Sequence, residues 1–489
     1  MSQPTELSVL TLNCWGLKFI SKDREDRLGA IGRYIADRSR GYDIVGLQEV
    51  WVYDDYLRIK DLVQDTLPYS KHWYSGVLGS GLVILSKFPI VSTMMRRFAL
   101  NGDPFKFYHG DWYVGKCCVS ATVVHPTCGE IEVFNTHLHA GYDPVGTPDS
   151  YLGCRIGEAW EMASLIKAAT SQGRHVLSLG DYNSAPNSLV VALLTKQGGM
   201  TDSWARLHPE PNPIPRGLTP EEGVAIMGVT CDTPLNSWSK HSWLNYLTND
   251  PVGERLDYIF YRETPEMVCT SVEVAVREQI SGIGAPNSGA KNYSDHFGVH
   301  AKFAILPAVY HFQNRTPSLA LSNSSSMGST SSPATTSSGT IASNLERTLK
   351  DSLLEQDRGL SVDTLEQILM ILKQHMEQSL RRPRLELKVI FPLMLLSALI
   401  LDVAFFWIQP RWAAFIVALL VSALSAGWIV HFLYGFLFGG ELSGAFLNVI
   451  QEVESVIDYK VAHEGAGSRA NSTRGVPGIH GGRTGLLQK

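Results

Sequence analysis

The sequence predicts a mixed α/β domain with a large share of antiparallel sheet, followed by a two-helix transmembrane hairpin. Three observations predict it. Short β-branched runs alternate with helical patterns over residues 1–309, a serine- and threonine-rich stretch breaks the pattern at 310–343, and two long apolar runs lie at 389–408 and 412–438. Period-two and period-3.6 patterning in one stretch argues for sheet and helix in the same domain.

The runs LSVLTLN (7–13), DIVGLQE (43–49), GLVILS (81–86), CCVSATVVH (117–125), EIEVFNTH (130–137), HVLSLGD (175–181) and RLDYIFY (255–261) carry strand-forming residues and are bounded by turn residues. One more strand is expected through Val299, Ala301, Phe303 and Ile305. Helical patterns occupy 24–39 and 151–170, and PTCGE (126–130) joins two runs as a hairpin. Residues 310–343 offer almost nothing large enough to bury and read as a disordered linker. In 344–388, Leu365, Ile368, Leu369, Leu372 and Met376 recur at helical spacing behind a capping pair at Asp363 and Glu366. An amphipathic helix is expected there, packed on a partner or a membrane surface, or simply solvated.

Each of the two apolar runs is long enough to cross a hydrocarbon core of ~30 Å at ~1.5 Å per residue. Buried core helices are the alternative, and length argues against them. Pro410 and Arg411 supply a tight turn, so both flanks lie on one side, and Arg381, Arg382, Arg384 and Lys388 assign that side to the cytosol. Such a hairpin suits the endoplasmic reticulum. Asp402, inside the first run, is either functional or simply paired or protonated within the hairpin. The segment 439–489 is expected to be a cytosolic tail, largely disordered and Gly-rich from about 462.

Composition excludes some functions. A net charge of -5, a pI near 6.3 and no basic tract in the first 310 residues disfavour nucleic acid as a partner. No secretory signal pattern opens the chain. Seven cysteines at scattered positions suggest a reducing compartment, in which the sequons at Asn292, Asn314, Asn323 and Asn471 stay unmodified.

The ends of the runs carry the chemistry. Asn13, Glu49, His137 and Asp181 each close an apolar run, and a sheet gathers such ends at one rim, where ligands collect. Asn183 follows Asp181 by two residues. Asp257 lies inside an apolar run and needs a partner if buried. An adjacent Asp295–His296 pair opens the last strand.

The motifs LNCWG (12–16), LQEVW (47–51), GSGLVILSKFPI (79–90), NTHLHAGY (135–142), GDYN (180–183), RLDYI (255–259) and SDH (294–296) stand in order across about 5–305. In them the chain resembles the endonuclease/exonuclease/phosphatase superfamily. Within that superfamily it is similar to neutral sphingomyelinases and to fungal inositol phosphosphingolipid phospholipases C, which carry a C-terminal membrane hairpin. The resemblance implies a two-sheet α/β sandwich. It also implies Mg²⁺-dependent, phospholipase C-type cleavage of a membrane sphingolipid with release of ceramide, with anionic phospholipids as activators and a mitochondrial membrane as a second location. Phosphoinositide phosphatase activity and non-catalytic lipid binding are the alternatives, and headgroup and oligomeric state stay open.

The resemblance implies these roles. Glu49 holds Mg²⁺ with Asn13 and Asp295, and His296 is the general base oriented by Asp257. Asp181 and Asn183 position water and phosphoryl oxygens, Asn13 also binds the phosphate, and His137 donates to the phosphate or leaving oxygen, unless it is a satisfied core histidine. HGDWYVGKC (109–117) opens like a nucleotide loop, but Cys117 replaces the metal-binding Ser or Thr and a strand pattern follows. The resemblance instead makes Asp111 and Lys116 a substrate-phosphate or switch element, with an exposed loop salt bridge as the alternative. Trp112 and Tyr113 beside them suit a lipid interface.

Overall fold

Strand β1 (Thr5–Asn13) shows how the domain is layered: Leu7 and Val9 enter one core while Leu10 and Leu12 enter another, both fully buried. A strand with two buried faces lies between layers. The computed structural model describes residues 5–104, 106, 108–143, 147–209, 217–239, 252–283, 289–306, 359–407 and 411–469.

After β1 come α1 (Arg24–Ala36), β2 (Ile44–Gln48), α2 (Tyr53–Val63), β3 (Tyr69–Trp73), β4 (Leu82–Ser86) and β5 (Ile90–Arg97). A single helical turn, α3 (Asp111–Val114), precedes β6 (Cys117–His125), β7 (Gly129–His137), α4 (Leu152–Ser171), β8 (His175–Asp181) and β9 (Thr201–Asp202). The domain ends with β10 (Asp257–Tyr261), β11 (Met267–Ala275), the short β12 (Gln279–Ile280) and β13 (Lys291–Asn292), and β14 (Gly298–Ile305).

Two six-stranded sheets result, ordered β11-β14-β1-β2-β4-β3 and β5-β6-β7-β8-β10-β9. Among the described pairings within them, only β1 with β2 and β7 with β8 are parallel. The sheets pack face to face through Leu7, Val9, Ile44 and Ile84 on one side and Val119, Val133, Leu177 and Ile259 on the other. Helices α1 and α2 cover the outer face of the first sheet, and α4 covers that of the second. The fold is the two-sheet α/β sandwich that the motifs imply.

The layering sets the rim. The register pairs Asn13 with Gln48, His137 with Asp181, and Asp257 with Asp181. Strands β1, β2, β7 and β8 end at this rim, whereas the antiparallel β10 and β14 begin there, so Asp257 and the Asp295–His296 pair arrive at the starts of their strands. Asn135 of β7 ties the sheets together beneath it, donating Nδ2 to the carbonyls of Leu47 (3.0 Å) and Val83 (2.9 Å) while its Oδ1 accepts from Gln48 (2.8 Å).

Three helices follow: α5 (Val362–Trp407), α6 (Arg411–Phe432) and, after a π-helical stretch at Leu433–Phe438, α7 (Gly439–Arg469). The amphipathic segment expected up to 388 and the apolar run expected from 389 are one continuous helix, α5. Residues 439–469, expected to be largely disordered, form α7 instead. Its Ala445, Phe446, Val449, Ile450 and Val453 make an apolar stripe at helical spacing that is buried with Leu365, Ile368 and Leu372 of α5 against α4. Trp160 of α4 donates Nε1 to Glu452 of α7 at 2.7 Å, and Gly153 lets His375 and Phe446 approach the helix backbone. The apolar parts of α5 and α6 are long and apolar enough to cross a membrane, and Phe391, Leu395, Trp412 and Phe415 there stand more than half exposed. The expected linker at 310–343, residues 344–358 and the Gly-rich end at 470–489 lie outside the described residues.

Candidate active site

Asn13 is the hub of the rim. Its Nδ2 donates to Glu49 Oε1 and to Asp181 Oδ2, both at 3.0 Å, and its Oδ1 accepts from the Trp15 amide, also at 3.0 Å. Asp181 accepts the Asn183 amide at 2.9 Å, and its Oδ2 lies 3.5 Å from His137 Nε2 and 3.9 Å from His296 Nε2. His296 closes the group, with Nδ1 against Asp257 Oδ2 at 2.8 Å. Glu49 and His296, 247 positions apart, therefore belong to one connected polar cluster.

The backbone is bent to bring these groups together. Trp15, Glu49, Asn183 and Asp232 are non-glycine residues with φ of 46°, 58°, 46° and 54°. Such conformations cost free energy and persist where surroundings enforce them, often at functional sites. Gly180 precedes Asp181 because a Cβ there would sit 2.2 Å from Thr136 O.

The electrostatics are those of crowded, buried acids. Burial, and then Asp257, pushes the Asp181 carboxyl up to about 6. Burial and Asp295 raise Glu49, and burial raises Asp295. For His296, burial opposes the charged form, but Cys231 and Asp257 outweigh it and hold the imidazole well above its ordinary value. His137 is pushed far down by burial and then by Lys116, so it is neutral. It is not a satisfied core histidine, since its buried Nδ1 has no hydrogen-bond partner among the described residues.

Hard oxygen donors short of counter-charge fit a small divalent cation such as Mg²⁺. Glu49, the second lone pair of Asn13 Oδ1 and Asp295 are the groups that could hold it. Asp181, Asp257 and His296 also place ligand atoms within 4.8 Å of one another. There, however, Asp257 Oδ2 already faces His296 Nδ1, which is the arrangement of a base and its orienting carboxylate.

Asp111 and Lys116 form a buried pair at 3.1 Å, not an exposed loop salt bridge. Burial raises the Asp111 carboxyl, yet Lys116, His139 and the Tyr142 hydroxyl, which donates at 2.5 Å, together hold it below its usual value. Asn101 clamps the Lys116 backbone, accepting from its N–H at 3.0 Å and donating to its carbonyl at 2.9 Å. Lys116 acts electrostatically on Glu49 and His137, so the pair borders the site. Trp112 packs on Phe438, 5.8 Å between ring centroids.

Sequence reasoning missed several groups. Cys231 Sγ lies 3.4 Å from His296 Nε2, and Ser294 Oγ donates to Asn13 O at 2.6 Å. Glu158, buried in α4, accepts the His139 amide at 2.9 Å, and burial pushes its carboxyl up to about 8. Nothing in the local sequence marks Cys231 or Glu158, whereas Ser294 was visible inside the SDH motif.

Comparison with known proteins places these residues in context. A family model described as Endonuclease/Exonuclease/phosphatase family matches residues 10–296. The chain is 38% identical over 303 residues to an inositol phosphosphingolipids phospholipase C of Schizosaccharomyces pombe, covering 61% of this chain and 69% of the relative. A protein of the same name from Saccharomyces cerevisiae is 34% identical over 329 residues, covering 63% and 65%. Human sphingomyelin phosphodiesterase 2 is 33% identical over 256 residues, covering 52% and 56%. The chain thus spans between about half and just over two thirds of the length of these relatives.

Proposed function

The chain belongs to the endonuclease/exonuclease/phosphatase family, and from that premise we propose that it is a membrane-tethered, Mg²⁺-dependent hydrolase of the phospholipase C type. Its substrates on this reading are sphingolipid headgroup phosphodiesters, cleaved to release ceramide. The names of the three relatives support the substrate class. The geometric observation that carries the reading is the His296 Nδ1 to Asp257 contact at 2.8 Å, within 3.9 Å of Asp181 and linked through Asn13 to Glu49.

In the reaction a water oxygen bonds to phosphorus and the bond from phosphorus to the ceramide oxygen breaks, the ceramide oxygen keeping the electron pair and taking a proton from solvent to leave as the hydroxyl. With Nδ1–H held by Asp257, the Nε2 of neutral His296 is the acceptor for the water's proton. Asp181 and Asn183 orient that water, and the neutral His137 donates to a phosphate oxygen, while both Asn13 Nδ2 hydrogens stay on Glu49 and Asp181, so that Asn13 acts on the phosphate only by holding those carboxylates in place. When bound at Glu49, Asn13 and Asp295, Mg²⁺ supplies charge neutralisation for the phosphoryl group and offsets the carboxylates that favour charged His296. Asp111 and Lys116 hold the border of the site beside the phosphate.

On this reading residues 1–309 are the catalytic domain, 310–343 the linker, and the apolar parts of α5 and α6 the anchor. The domain then faces the cytosol at the endoplasmic reticulum or a mitochondrial membrane, and Arg381, Arg384 and Lys388 meet anionic phospholipids.

The test uses the full chain in vesicles containing anionic lipid, with sphingomyelin, inositol phosphoceramide and phosphoinositides offered side by side. Release of a phosphorylated headgroup and ceramide, dependent on Mg²⁺ and lost in His296→Ala, is the expected result. Release of inorganic phosphate from phosphoinositides without ceramide would replace this reading.

A further inference from the structure

Helix α1 buries an arginine completely. Arg27 has no exposed surface, and among the described residues no carboxylate lies within salt-bridge reach of its guanidinium. Its Nε donates to Lys22 O at 2.8 Å, its Nη1 to Cys14 O and Tyr293 O at 3.0 Å each, and its Nη2 to Trp15 O at 2.6 Å. The guanidinium lies 4.6 Å from the Trp15 ring and 5.7 Å from the Trp238 ring. Burying a charge without a direct counter-ion is costly, and packing of α1 alone would be served by an apolar residue.

The identity of the acceptors gives the arrangement its meaning. Cys14 and Trp15 directly follow Asn13, and Tyr293 stands two residues before Asp295 and three before His296. Trp15 is also one of the left-handed residues at the rim, held there by the shortest of the four bonds. The charges that act on the guanidinium favourably include those of Asp295 and Glu49. A planar fork can bind carbonyls of two separate segments at fixed spacing, which a lysine ammonium on a flexible stem cannot reproduce.

We propose that Arg27 is a positioning residue for the reaction. It clamps the loop leaving β1 to the turn that carries Asp295 and His296, and so sets the separation between the Glu49–Asn13 side of the site and the His296–Asp257 pair. The clamp is read from distances alone, and only its effect on turnover rests on the hydrolase reading above.

The experiment compares full-length wild type with Arg27→Lys, which keeps the charge and loses the fork, and with Arg27→Gly, which leaves a cavity for added guanidinium. Three quantities are measured: kcat and KM for headgroup release, the Mg²⁺ midpoint from tryptophan fluorescence, and the melting temperature. Arg27→Lys is expected to fold, to lose on the order of 10–100-fold in kcat with KM nearly unchanged, and to need more Mg²⁺ to reach its midpoint. Millimolar guanidinium is expected to restore part of both quantities in Arg27→Gly and to leave wild type unaffected. Wild-type kcat and Mg²⁺ midpoint in Arg27→Lys would overturn the proposal. So would an Arg27→Lys protein that does not fold, or absence of rescue, since the guanidinium would then serve the fold alone. If wild type releases no headgroup at all, the hydrolase reading fails, while the Mg²⁺ midpoints and their rescue still decide the clamp.

Discussion

Replacing Asp257 by asparagine isolates what the carboxylate does for His296. The two groups meet at 2.8 Å, and Asp257 is buried in the middle of the cluster. In the neutral imidazole an aspartate receives Nδ1–H, so that the proton-free nitrogen is Nε2, the one that can accept from water. The replacement amide can present its NH₂ to Nδ1, which moves the imidazole proton to Nε2 and blocks acceptance from water. Rotating the amide to present its oxygen would bury the NH₂ where Asp257 Oδ1 now has no hydrogen-bond partner among the described residues, a cost of about 1–3 kcal/mol. Losing the charge-assisted bond alone is worth about 1.5–3 kcal/mol, roughly 10–150-fold in rate. The wrong tautomer adds to this, for a total loss in kcat on the order of 10³–10⁴-fold. Asp257→Ala, which removes the bond without imposing a tautomer, is expected to lose less than Asp257→Asn. Steady-state headgroup release at saturating substrate measures both, with circular dichroism to check folding. An Asp257→Asn enzyme that keeps more than about a tenth of wild-type kcat, or outperforms Asp257→Ala, would refute the orienting role.

Other perturbations test the surroundings. Glu158 titrates at about 8 when folded against an ordinary 4.5, so the native state keeps a proton that the unfolded chain releases. Its contribution to stability is therefore full below about pH 4.5 and is lost as pH rises toward 8. Glu158→Gln is expected to recover roughly 3 kcal/mol near pH 7 and to flatten the pH dependence in urea unfolding, and identical curves for the two proteins would contradict the burial argument. Glu49→Gln should raise the Mg²⁺ concentration for half-maximal activity by at least on the order of tenfold without lowering the melting temperature, and an unchanged requirement would move the cation elsewhere. Gly153→Val puts a Cβ 2.7 Å from the His375 ring and is expected to weaken the docking of α5 and α7 by about 1–3 kcal/mol. Faster proteolytic cleavage near residue 360 would report this, and unchanged protection would show that the contact is not needed.

Strands β1, β2, β4, β6, β7 and β8 were legible because each is a largely buried apolar run that closes on a polar residue, and the gathering of Asn13, Glu49, His137 and Asp181 at one rim followed from that pattern, whereas β3, β5 and β11, each with several exposed positions, were not read as strands. Asp257 announced itself as a carboxylate in an apolar run, and its partner His296 was found through the motif set. Arg27 was hidden for the opposite reason. It lies in KDREDR, which reads as a solvated helix face, and its acceptor at Tyr293 is 266 positions away. Cys231 reaches His296 across 65 positions with no local mark. Helix α7 was misread because an apolar stripe next to glycines predicts a buried face only once its partner is known, and that partner, α4, lies almost 300 positions earlier. The Asp111–Lys116 pair was visible as a spacing, but its burial depends on Asn101, Tyr142 and His139, which come from other segments.

The seating of α5 and α7 on α4 governs how such an enzyme would meet its lipid. A domain hung only on a flexible tether as long as 310–343 would wander over a radius of roughly 30 Å and tumble freely. If the apolar parts of α5 and α6 anchor the chain as proposed, a domain braced by those helices would instead keep one attitude toward the leaflet, as a lamp is held by a bracket and not by its cord. Turnover would then track the mole fraction of sphingolipid in the surface, replenished by lateral diffusion, and would be indifferent to the total amount of vesicle added once every molecule has a membrane to stand in.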